Sequence, residues 1–201
     1  MAGIAGCLGD DDDGEDLTFT FEETFDDGLD DWEIEAAIGP EVDLEDWDWS
    51  IDLTDEPVHV GEQSIEVFTE GRYDDGLAWL ATTIEIEPDR RYHAEASVHA
   101  WSQSYSDNNL RRLACYLGPD TPESQTDFPQ ADWTSTDKDE PSYGGIRDPL
   151  NRAEGWHEHT FEWESPRLST NELTFAVGIG VVWETDLTYY LDDFEVILET
   201  R

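Results

Sequence analysis

Lysine is almost missing from this chain: Lys138 stands alone, and the other nine basic residues are Arg. Against these ten cations stand 51 Asp and Glu, for a formal net charge of -41 over 201 residues. Such a balance excludes unaided binding to DNA, RNA or an anionic bilayer, because phosphate contacts need Lys and Arg. There is no apolar run of about 18 residues, so no helical membrane span is predicted. Cysteine is scarce as well, with only Cys7 and Cys115, which leaves no disulfide framework and no Cys/His zinc spacing. A Gly-x-Ser-x-Gly elbow, a phosphate loop and a dinucleotide fingerprint are all lacking, so the enzyme classes they mark are not indicated. Nowhere does a period-3.6 apolar stripe persist over a dozen residues.

What is present decides between a folded and an unfolded chain. Acidic disordered sequences are poor in aromatics, yet aromatics make up 12% here, with nine Trp. The acids also run through the apolar segments rather than only the ends. Self-repulsion at this charge is severe in dilute buffer and fades when molar salt shortens the screening length to about 3 Å. The composition resembles that of halophilic archaeal proteins, in particular exported ones, and implies a surface adapted to concentrated salt.

At the amino terminus, Ile4-Ala5-Gly6-Cys7 resembles a lipoprotein lipobox, which implies lipidation at Cys7. A Gly/Asp run follows and reads as a disordered acidic tether, so residues 1–16 are assigned to lipobox remnant and tether and 17–201 to one domain. Only six residues precede Cys7, too few for a charged n-region and an apolar h-region, so either the true start lies further upstream or the motif is not a functional signal. The expected location is the extracellular face of the cell membrane, touched only through the lipid.

Period-two alternation predicts nine strands: Leu17–Phe21, Trp47–Leu53, Ile65–Phe68, Trp79–Ile86, Tyr92–Trp101, Leu113–Leu117, Trp156–Trp163, Leu173–Trp183 and Tyr189–Leu198. Asp27-Gly28, Asp75-Gly76 and Gly144-Gly145 punctuate them as turns. Short strands without helices point to an all-β sandwich of two antiparallel sheets. Residues 119–152, rich in Pro, Asp, Ser and Gly, read as a long loop. Cys115 shares parity with Leu113 and Leu117 and is expected to be a buried structural thiol.

Three pieces together resemble jelly-roll carbohydrate-binding modules of the galactose-binding-like type: Phe25-Asp26-Asp27-Gly28-Leu29-Asp30-Asp31-Trp32, Val60-Gly61-Glu62-Gln63-Ser64-Ile65-Glu66-Val67, and Tyr189-Tyr190-Leu191-Asp192-Asp193-Phe194-Glu195-Val196. The resemblance implies a structural calcium on Asp26, on carbonyls around Gly61, and on Asp192. Calcium takes six to eight hard oxygens in irregular geometry. Strand parity groups Asp192 with Phe194, Val196 and Leu198, an inward series, where an unpaired carboxylate is costly. The alternative is that Asp192 caps a turn or pairs with Arg.

Parity also nominates an outward set: Trp79, His99, Trp101, Arg112 and Tyr116, with Glu184 adjoining. If their strands are neighbours, these side chains form one face on which aromatic rings stack against sugars while Arg and Glu bind hydroxyls. The competing arrangement buries the same aromatics under the long loop as a second small core. His157 and His159 resemble a metal pair but share a face simply as alternate strand residues. The function expected is a non-catalytic, cell-surface, carbohydrate-binding-like module whose partner is a polysaccharide or surface glycan. The alternatives are a surface interaction or structural domain without glycan binding, and a glycan-active hydrolase, which needs two carboxylates about 5–10 Å apart in a cleft.

Overall fold

The computed structural model describes residues 17–102, 111–150, 154–182 and 185–201. The tether, Cys7 and Glu184 lie outside them. Eleven strands are present: β1 (Thr18–Glu23), β2 (Glu33–Ala37), β3 (Trp49–Thr54), β4 (Ser64–Thr69), β5 (Asp74–Glu85), β6 (Tyr92–Ser102), β7 (Arg112–Gly118), β8 (Gly144–Pro149), β9 (Gly155–Glu164), β10 (Glu172–Val182) and β11 (Leu187–Thr200). The only helical pieces among the described residues are single 3-10 turns at Leu44–Asp46 and Ser135–Asp137. The first sheet runs β3-β4-β11-β6-β9, with β1 also paired to β11, and the second runs β2-β5-β10-β7-β8. Every pairing is antiparallel. The expected all-β sandwich of two antiparallel sheets is therefore what the chain forms.

Alternation explains the layers. In β9, His159, Phe161 and Trp163 are buried while Glu158, Thr160, Glu162 and Glu164 are exposed. The main core fills the space between the sheets with residues such as Ile65, Val67, Leu80, Val98, Leu113, Trp163, Phe175 and Val196. Cys115 is buried there beside Leu113 and Leu117, as its parity requires.

The Phe25–Trp32 segment closes one end of this core. Phe25 meets Phe194 edge to face at 5.0 Å, and Trp32 meets Phe194 at 5.8 Å. Both Phe25 (φ 62) and Gly28 (φ 92) take left-handed backbone, and the Gly28 N–H donates to the Phe25 carbonyl at 3.1 Å. Glu23 secures the turn by accepting from the Phe25 N–H at 2.7 Å and from the Trp32 indole at 3.3 Å. At the opposite end of β1 and β11, Leu17 N–H donates to Thr200 Oγ1 at 2.8 Å, and Thr200 N–H donates to the Leu17 carbonyl at 2.9 Å.

Two strands go beyond the sequence expectation, both at edges of the second sheet. In β2 only Ala36 is buried and Ile34 is exposed, so the alternation is faint. β8 falls inside the segment expected to be loop. Its Gly144-Gly145 pair reads as a turn, but the structure needs it for close approach. A Cβ on Gly144 would lie 2.7 Å from Trp163 Cβ, and one on Gly145 would lie 2.2 Å from the Cys115 carbonyl oxygen. Pro149 closes β8 at the sheet edge, where a missing N–H costs no ladder bond.

Candidate functional site: the open face of the first sheet

The outward aromatics divide between two sheets. Trp79 on β5 and Tyr116 on β7 belong to the second sheet, whereas His99 and Trp101 on β6 belong to the first, so the core separates them. Parity gave the right facing for each strand, but the expectation of one shared face needed β6 beside β5 and β7. The correction goes further, because the 119–143 segment lies over Trp79 and Tyr116. Phe128 packs edge to face on Trp79 at 5.4 Å and on Tyr116 at 6.2 Å, and Tyr143 lies 5.1 Å from Tyr116. Trp79 is 2% exposed and Tyr116 4%. Arg112 donates to Asp132 of the covering segment at 2.8 Å. Trp79, Tyr116 and Phe128 anchor a second small core with Leu77, Ala81, Ala114 and Ala176, and a sugar does not reach Trp79 or Tyr116. Burial pushes the Tyr116 hydroxyl up to about 12.

The outer face of the first sheet has a different character. Register sets Trp101 directly opposite Trp156 on β9 and Tyr190 on β11, giving a row of three aromatic side chains across neighbouring strands. Trp101 and Trp156 are half-buried, whereas Tyr190 is buried and meets Trp101 at 5.3 Å and 71°, supporting the two indoles. The next rows are Glu158–His99–Asp192, then Thr160–Ser97–Glu195, then Glu162–Glu95–Ile197. The 3-10 turn at Ser135–Asp137 forms a wall over the far rows: Thr136 Oγ1 accepts from the Glu162 N–H at 2.9 Å, and Ser135 Oγ donates to the Glu162 carbonyl at 2.6 Å. Between wall and sheet lies an open groove of about 500 Å³ with Glu95, Ser97, Glu158, Thr160 and Glu195 on its floor. Such a groove presents carboxylates and hydroxyls as acceptors, beside a platform of rings.

Sequence reasoning found His99 and Trp101 but missed Trp156 and Tyr190. Their strands were recognisable, whereas which strands adjoin was not. Tyr190 was concealed by a bulge. The core series along β11 runs Tyr189, Leu191, Phe194, Val196, Leu198, stepping by three between Leu191 and Phe194. The ladder slips between Asp192 and Glu195, and Asp193 takes φ 52. Asp192 therefore does not share the parity of Phe194, as alternation alone implied; it stands opposite His99 on the outer side. It is still fully buried, held by three main-chain donors. His59 and Val60 N–H donate to its Oδ2 at 2.7 and 3.1 Å, and Asp193 N–H donates to its Oδ1 at 2.7 Å. Burial raises the Asp192 carboxyl above the ordinary range, opposed by the bonds from Val60, His59 and Asp193.

Asp26 grips the same turn from another side, its Oδ1 accepting from Glu62 N–H at 2.6 Å. Gly61 (φ 78) lies under that carboxylate, and Ser64 Oγ donates to the Pro57 carbonyl at 2.7 Å to close the turn. Each carboxylate offers about four lone-pair sites, so these N–H bonds leave oxygen capacity at both. Asp26 and Asp192 are hard-oxygen donors around one turn, the ligand type calcium takes, and both carboxylates are engaged by its main-chain N–H groups. His157 and His159 take separate partners instead: His159 Nδ1 lies 2.9 Å from Asp148 Oδ2, and His157 Nε2 lies 3.3 Å from the Glu154 carbonyl.

No protein-family model matches the chain, and no curated protein matches it. Solved structures do match. A carbohydrate-binding module of the β-sandwich superfamily, described for promiscuous specificity, is 15% identical with a TM-score of 0.55, over 84% of this chain and 58% of that one. The chain thus spans less than two thirds of that structure's length. The K3 cleaved adhesin domain of Lys-gingipain from Porphyromonas gingivalis is 14% identical with a TM-score of 0.51, over 91% of this chain and 99% of that one. A carbohydrate-binding module in complex with β-1,4-galactotriose follows at 11% identity and a TM-score of 0.49, over 86% and 92%. The fold is that of β-sandwich carbohydrate-binding modules.

Proposed function

We propose that this protein is a non-catalytic, carbohydrate-binding-like module that receives a polysaccharide or surface glycan on the outer face of its first sheet. One observation carries the reading. The Trp156–Trp101 pair, backed by the buried Tyr190, adjoins a groove floored by carboxylates and hydroxyls, while Trp79 and Tyr116 on the other sheet are covered by the chain's own 119–143 segment. Indole faces attract the C–H side of a pyranose, and Glu95, Glu158 and Glu195 are placed to accept hydroxyl protons. Likeness of fold to carbohydrate-binding modules is compatible with this but carries no ligand by itself.

Calcium on Asp26 and Asp192 would add a fixed charge tying the turn around Gly61 to β11. The acid-dominated surface supports life in concentrated salt, and Cys7 as a lipid anchor would set the domain on the outer face of a halophilic archaeal cell. A second reading is a surface interaction domain without glycan binding, and the likeness in fold to an adhesin domain is compatible with it.

Retention of the full chain on insoluble polysaccharides at molar salt tests the proposal. Trp101→Ala and Trp156→Ala should each abolish retention while leaving the far-ultraviolet spectrum unchanged, and Phe128→Ala should leave retention intact. Equal retention of parent and both Trp variants, or none across a broad glycan panel, overturns the sugar reading. Release of reducing ends from a retained glycan would point to the hydrolase instead.

A further inference from the structure

His59, His99 and Asp193 reach one point from three separate elements: the turn before β4, the outer face of β6 and the bulge of β11. Their ligand atoms all lie within 4.8 Å of one another. Asp193 Oδ2 stands 3.4 Å from His59 Nδ1 and 3.3 Å from His99 Nδ1. Two ligand atoms about 2.0–2.1 Å from a tetrahedral ion are about 3.3–3.4 Å apart, so both separations match the edge of such a site.

A second feature points the same way. His99 Nδ1 is sealed from solvent and has no hydrogen-bond partner, its separation from Asp193 notwithstanding. Buried polar atoms are nearly always satisfied, and a cation held between this nitrogen and the carboxylate would satisfy it. The left-handed backbone at Asp193 (φ 52) is what brings its carboxylate to the two histidines. The imidazoles are stacked 4.0 Å apart at 17°, with the Trp156 ring 5.5 Å from His59. For both Nδ1 lone pairs to meet one ion, each ring turns about its Cβ–Cγ bond, a broad torsion with little barrier.

We propose that His59, His99 and Asp193 bind one divalent transition-metal ion of the zinc class, leaving a coordination position open on the face that carries Trp101 and Trp156. Two imidazoles with one carboxylate favour zinc, cobalt, nickel or copper over magnesium and calcium. The site is thus chemically distinct from the hard-oxygen set of Asp26 and Asp192. It stands whether or not a glycan binds. The ion would staple the turn before β4 to β6 and β11.

Cobalt(II) tests this by colour as well as by affinity. The full chain, stripped with chelator and held at molar salt with excess magnesium to occupy exposed acids, is titrated with Co²⁺ alone. One equivalent should bind with the intense visible bands of four-coordinate cobalt, which Zn²⁺ displaces and Ca²⁺ does not. His59→Ala, at an exposed turn, and His99→Gln should each weaken binding by more than about a hundredfold, beyond the loss of an outer-shell partner, while His157→Ala should not. If His99→Gln fails to fold, Asp193→Asn replaces it. A weak six-coordinate spectrum, or equal affinity in parent and His59→Ala, overturns the proposal. Retention of polysaccharide by a metal-free chain leaves the sugar reading standing on its own.

Discussion

The Asp26 carboxylate occupies the space beside Gly61 that a side chain would need: a Cβ there would lie 2.5 Å from Asp26 Oδ1. Gly61→Ala must both hold φ 78 and push Asp26 off the Glu62 N–H, so it should destabilise by about 1–3 kcal/mol. Gly28 also has positive φ, at 92, but open space around it. Gly28→Ala should cost only the backbone term, about 1 kcal/mol. Chemical denaturation of the two variants side by side checks the order, and equal losses would remove Asp26 from the explanation.

Calcium should act through the same turn. Adding calcium to chelator-treated protein at fixed molar salt should raise the melting temperature, and Asp26→Asn or Asp192→Ala should remove the rise. An unchanged melting curve in the parent would exclude calcium from this fold.

Trp79 and Phe128 contribute to stability rather than to ligand binding. Phe128→Ala should destabilise by about 3–5 kcal/mol, and the double-mutant cycle with Trp79→Leu should return about 0.5–1.5 kcal/mol of aromatic coupling.

Tyr116 gives the alkaline behaviour. Its hydroxyl is raised from 10.0 to about 12 by burial, so the folded state holds this proton more tightly than the unfolded chain. The contribution is complete below the ordinary tyrosine value and is lost as pH climbs through the folded one. Between pH 10.0 and about 12, Tyr116→Phe should lose stability less steeply than the parent, as measured by denaturation at stepped pH.

Like charges face one another across the ladders at Glu95–Glu162, Glu195–Glu22 and Glu66–Asp52. Directly opposed like charges are destabilising by some tenths of a kcal/mol each, roughly the size of a favourable pair, and salt screens them. Melting temperature should therefore rise steadily from dilute buffer to molar salt, and Glu195→Gln with Glu66→Gln should flatten the curve. A fold equally stable at both extremes would contradict the charge argument.

All nine strands expected from alternation are present, because burial on one side writes a period of two into the chain. The two unexpected strands, β2 and β8, are edges with little buried area, where that signature fades. Facing was legible residue by residue, as for Trp79, Trp101 and Cys115. Adjacency was not: nothing in the local pattern says that β6 pairs with β9 and β11 rather than lying beside β5. The bulge at Asp192–Asp193 shows the other limit. One inserted residue reverses the facing across it, and here it sets Asp192 and Tyr190 on the outer side of the sheet, still buried, while bringing Asp193 to His59 and His99.

The reciprocal bonds between Leu17 and Thr200 have an architectural consequence. The domain begins and finishes at the same spot, so a host loop could accept the whole sandwich as a cassette without being pried apart. Joining those two ends through a short linker and reopening the chain at an exposed turn should likewise yield a circular permutant that folds.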